Sequence, residues 1–90
     1  MKFVTLVNFT KQGFKTIEQS PGRAEVFAKH AAKSGLEISE ILWLNGRIDG
    51  LIVFDAPDRE TASAAMLQLS KSGFVKTETL SAFDAQDMRQ

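Results

Sequence analysis

The 90-residue chain contains no cysteine, and that one absence removes disulfides, thiolate nucleophiles, iron–sulfur clusters and cysteine-ligated zinc together. It also lacks net charge, because eleven Lys and Arg balance eleven Asp and Glu, and no stretch concentrates the basic residues. The electrostatic footprint of a nucleic-acid or anionic-membrane binder is missing, so neither partner is expected. A balanced charge also leaves little repulsion against self-association. No apolar run is longer than Leu51 to Phe54, far from the ~20 residues of a membrane span. The opening segment Met1 to Phe9 carries one positive side chain, and Thr5 and Asn8 interrupt its apolar residues, so it does not read as a secretory signal. A cytoplasmic setting is expected. One histidine and dispersed carboxylates give no metal-ligand spacing, and Gly46-Arg47-Ile48-Asp49-Gly50 reads as a hairpin with no helix behind it to cradle a phosphate. No metal and no cofactor is expected.

With 43% hydrophobic and 24% charged residues the chain has the composition of an ordinary folded protein, and its length suits one domain spanning residues 1–90. Phe3 to Phe9 has apolar side chains at both parities, as in a strand buried on both faces. Thr10 can cap a short turn, and Phe14 to Gln19 has room for a helical turn or two. Ser20-Pro21 opens a helix that runs to about Ser34, with Ser20 as cap, Ala24, Phe27, Ala28 and Ala31 as its apolar stripe, and Gly35 as its stop. Glu37 to Leu44 reads as a strand with Ile38, Leu42 and Leu44 on one face and Ser39, Ile41 and Trp43 on the other. Asn45-Gly46 predicts a type I′ turn into a third strand, Ile48 to Asp55, apolar on both faces. Asp58 caps a second helix with the stripe Ala62, Ala65, Met66 and Leu69, which Gly73 ends. Phe74 to Phe83 alternates like an edge strand, and the tail from Asp84 is polar and expected to fray.

The order β, α, β, β, α, β with right-handed crossovers predicts an α+β fold: a ferredoxin-like sandwich with a four-stranded antiparallel sheet in order 4-1-3-2 and two helices on one face. Strands one and three, the two that are apolar on both sides, then occupy the centre. The sheet face away from the helices would expose aliphatic side chains, which predicts that it meets a partner sheet in a homodimer or higher oligomer.

Several short segments together resemble the GYD domain family over nearly the whole chain. They are Leu6-Val7-Asn8-Phe9-Thr10 with Gln12-Gly13, Ser20-Pro21 with Arg23-Ala24, Trp43 with Gly46 and Asp49, Ala56-Pro57-Asp58 with Glu60-Thr61-Ala62, and Lys76-Thr77-Glu78-Thr79-Leu80. The resemblance implies a dimeric α+β barrel and no particular activity. Where the family's hairpin typically carries Tyr before the Asp, this chain has Ile48, so no phenol is available there.

Candidate chemistry is sparse. His30 can act as a general base by its pKa, but no Ser or Cys nucleophile pattern accompanies it, and its helical angle puts it at the border of the buried stripe. Asp49 shares strand parity with Leu51 and Val53 and is either a buried acid–base carboxylate or a turn-closing acceptor that could also pair with Arg47. Trp43, Asn8, Thr5 and Arg47 are candidates for ligand binding, the first three in a cleft between sheet and helices, although Asn8 and Thr5 have opposite parity and cannot both line it in a regular strand. Glu78 on the edge strand reads as solvated or paired with Lys76. Three functions stay open: an oligomeric module for a small, mainly apolar ligand; a cofactor-independent oxygenase or isomerase using His30 or Asp49; and a structural assembly component with a filled interior.

Overall fold

A computed structural model describes residues 1–89 and has the order β1 (Lys2–Phe9), α1 (Lys11–Lys15), a 3-10 turn (Ile17–Gln19), α2 (Ser20–Lys33), β2 (Glu37–Trp43), β3 (Gly50–Asp55), α3 (Arg59–Lys71), β4 (Val75–Ala82) and α4 (Ala85–Met88). The strands form one antiparallel sheet in the order β2-β3-β1-β4, which is 4-1-3-2 when read from the β4 edge. Strands β1 and β3 are central, as their two-sided apolar character requires.

Alternation along these two strands sets the sides of the sheet. Phe3, Thr5 and Val7 on β1 and Ile52 and Phe54 on β3 are buried, and they share one core with Ala31 of α2, Leu36, Ala56, and Ala62 and Met66 of α3. Phe27, Ala65 and Leu69 pack against that core from the two helices, so both helices cover the same face. Phe3 and Phe54 stack with ring centroids 5.5 Å apart. The short dimension of the fold, 17 Å between Cα extremes, admits one sheet layer and one helix layer. The opposite face, built by Val4, Leu6, Leu51 and Val53, is left uncovered by α2 and α3.

Three expectations about local structure are corrected. Strand β2 contains a bulge between Ile38 and Glu40, so Ile38 lies opposite Phe54 and Ile41 opposite Ile52. Both therefore reach the core, where strict alternation would have separated them. Asn45-Gly46 does not form a type I′ turn: among the described residues only Gly35 and Gly73 have positive φ, +94° and +85°. The strands are joined instead by a wider loop closed by the Leu44 N–H donating to the Asp49 carbonyl at 2.8 Å. Asp49 is the reason. Its N–H donates to the Val7 carbonyl at 3.0 Å and to Asn8 Oδ1 at 3.2 Å, which holds the base of the loop on β1 and leaves too many residues for a tight turn. Where the polar tail is expected to fray, the structure has a short helix: α4 carries a reciprocal capping box, with Asp87 N–H donating to Asp84 Oδ1 (2.8 Å) and Asp84 N–H to Asp87 Oδ2 (3.0 Å).

Helix termini follow the residue chemistry elsewhere. Thr10 caps α1, and Asp58 caps α3 by accepting from Thr61 N–H at 2.7 Å. The Thr61 hydroxyl and then its backbone N–H hold the Asp58 pKa below its ordinary 3.8. A lowered folded-state pKa contributes stability above the unfolded value and loses it as pH falls through the folded value. Asp58→Ala is therefore expected to lower the melting temperature at neutral pH, and the gap from wild type to close on acidification below 3.8. Thermal denaturation by circular dichroism at neutral and acidic pH checks this; a gap unchanged between the two would refute it.

Candidate functional site

The helices do not seal the sheet end near Trp43, and a cleft of about 650 Å³ opens there. Its floor is the sheet. Gly50 lies between Val7 on β1 and Trp43 on β2, so the middle of the floor has no side chain. Phe9, Trp43 and Phe27 supply aromatic and apolar walls, and α2 roofs the cleft with Ala24. A mainly apolar concavity of this size with a few polar groups is the usual form of a small-molecule site.

The polar groups are placed by specific bonds. Ser20 is not the cap of α2. The 3-10 turn runs directly into the helix, so Ser20 already has helical dihedrals (φ −58°, ψ −41°) and Gln19 stands at the cap position. The freed Ser20 hydroxyl accepts from Trp43 Nε1 at 3.0 Å and fixes the indole across the cleft mouth. Arg23, one turn further, lays its guanidinium over the Phe74 ring at 4.2 Å and donates from Nη1 to Thr16 Oγ1 and from Nη2 to the Thr16 carbonyl, each at 3.2 Å.

The sequence candidates divide sharply by position. Trp43, Asp49 and His30 line the cleft; Thr5, Asn8 and Arg47 do not. Thr5 is fully buried on the core side, and its hydroxyl shares a 2.9 Å bond with Thr79 Oγ1. Asn8 spends its side-chain carbonyl on Asp49 N–H. Arg47 is exposed in the loop, and Ile48 beside it is half-buried. Asp49 faces the cleft end, yet Oδ2 accepts the Phe9 N–H at 2.8 Å, so its carboxylate completes the backbone pairing of β1. His30 is exposed at the cleft rim, and Glu78 is exposed on β4. Arg23 and Phe74 were not singled out from the sequence as site residues. For Arg23 the available signal is the helical face on which Arg23, Phe27 and His30 recur at spacings of four and three; for Phe74 there is none.

The architecture and the cleft together define a two-layer α+β protein with an open aromatic-walled cleft on its helix side. Its affiliation is narrower: the chain belongs to the GYD domain family, whose model matches residues 3–90. No curated protein and no solved structure matches it.

Proposed function

We propose that this protein is an oligomeric small-molecule-binding module of the ferredoxin-like, dimeric α+β barrel type, with the helix-side cleft as its ligand site. The observation that carries the reading is the cleft itself, about 650 Å³ of mostly apolar space kept open by the Trp43–Ser20 bond and by Gly50 in its floor. A structural component with a filled interior would not leave that space. An oxygenase or isomerase reading needs a base aimed at substrate. His30 stands at the exposed rim and the Asp49 carboxylate is engaged by Phe9 N–H, which favours binding over acid–base catalysis. Dimerisation is supported by the helix-free sheet face and by the balanced charge.

Trp43 is the single tryptophan of a chain with no tyrosine, so intrinsic emission reports on the cleft alone. A neutral apolar probe, decan-1-ol, is expected to shift that emission to shorter wavelength and to saturate. Ala24→Phe, which fills the roof, is expected to abolish the response without unfolding the protein. An unsaturable response, or one unchanged in Ala24→Phe, would count against the cleft.

A further inference from the structure

We propose that the cleft's ligand is a carboxylic acid with an apolar body, and that Arg23 is the residue that receives its carboxylate. The inference rests on reading the cleft as a small-molecule site and adds the ligand's chemical class.

A guanidinium has five N–H donors, and the two contacts to Thr16 engage only neutral oxygens. Among the described residues the one ion pair is Lys2–Asp55 at 3.7 Å, so Arg23 stands in a largely apolar cleft without a carboxylate in contact. A charge placed so gains more from an arriving anion than it would in water, because charge-assisted bonds strengthen as solvent is excluded. The Phe74 ring 4.2 Å away and the two bonds to Thr16 hold the guanidinium in place, and its remaining N–H groups suit a carboxylate.

The rest of the cleft selects the remainder of the molecule. Phe9, Phe27 and Trp43 offer surface for a chain or ring and no further cation. Arg23 is the one Lys or Arg of the cleft lining, so its single positive charge balances a carboxylate, whereas a phosphate dianion would keep an unbalanced charge against apolar walls. His30, two turns along the same helix face and about 10 Å away along the axis, adds one donor at the rim. Asp49 sets the direction: as the acidic residue on the cleft wall it repels an anion, so the ligand's carboxylate goes to Arg23 and its apolar body lies across Gly50.

The test compares decanoate with decan-1-ol, read by Trp43 emission on the full chain. Decanoate is expected to bind wild type at least about tenfold more tightly than the alcohol, the margin of one charge-assisted contact. Arg23→Gln is expected to bring decanoate down to the alcohol's affinity or below, with a saturable decan-1-ol response in the same variant as the sign that the cleft is still formed. Arg23→Lys is expected to retain part of the preference. Equal affinities in wild type, or a preference that survives Arg23→Gln, would overturn the assignment of Arg23 and leave the cleft standing. No response to either probe would overturn both.

Discussion

Replacing Gly13 by alanine is expected to cost about 2–3 kcal/mol, the upper range for forcing a methyl group into a packed site. A Cβ at Gly13 would sit 1.9 Å from the Phe74 carbonyl oxygen and 2.9 Å from its carbon. Both are backbone atoms, so no side chain can swing aside. The carbonyl cannot retreat easily either, since it accepts the Thr10 N–H at 3.0 Å, while the Thr10 hydroxyl donates to the Gly73 carbonyl at 2.6 Å. Val75, the next residue, is paired with Phe9 in the sheet. Relief would therefore have to separate α1 from the start of β4, which moves Phe74 from beneath Arg23. The melting temperature at fixed protein concentration should fall by roughly 10–20 °C. Gly22→Ala is the matched control: nothing lies within 4 Å of its Cβ position and it is inside α2, so it should stabilise by about 0.5–1 kcal/mol. Equal melting temperatures for the two variants would refute the close-approach argument.

That junction also marks where sequence stops being legible. The order of the four strands and two long helices, the central position of β1 and β3, the Asp58 cap and the helix stops at Gly35 and Gly73 could all be read in advance from local pattern and topology. Local pattern failed where a distant partner outbid it. Asn45-Gly46 has tight-turn chemistry, but Asp49 is held on β1 by bonds spanning some forty residues of sequence. Ser20 has cap chemistry, but its hydroxyl is engaged by Trp43, twenty-three residues on. The cleft was legible only through Trp43, Asp49 and His30, because Arg23 and Phe74 meet across fifty residues that no helical or strand period connects. Asn8 and Thr5 were drawn toward ligand binding by their polarity, and each has a protein partner that the sheet register alone supplies.

Val53→Lys is expected to convert the proposed dimer into a monomer. On the helix-free face the register sets Leu80, Val4, Val53 and Glu40 in one row and Glu78, Leu6, Leu51 and Leu42 in the next. Leu80 and Leu42 are 43% and 41% exposed in the isolated chain. The Lys2–Asp55 pair bounds these rows at one end and Asn8 with Lys76 at the other, so an apolar centre is enclosed by a polar rim, which is the anatomy of a protein interface. In the monomer a lysine at Val53 would stand opposite Glu40 with its ammonium in water, an arrangement that a sheet surface accommodates. Between two sheets the same ammonium would be enclosed among aliphatic side chains. Drawing that ammonium and the facing Glu40 out of water costs several kcal/mol, which weakens the dimer by about a hundredfold or more. Light scattering across micromolar concentrations should report a dimer for wild type and a monomer for Val53→Lys. Leu67→Lys, at a residue 58% exposed on α3, should stay dimeric. A wild-type protein that is monomeric throughout would refute face-to-face pairing. A dimer that persists in Val53→Lys and dissociates in Leu67→Lys would move the interface to the helices, and with it the partner would cover the layer that roofs the cleft instead of the sheet that floors it.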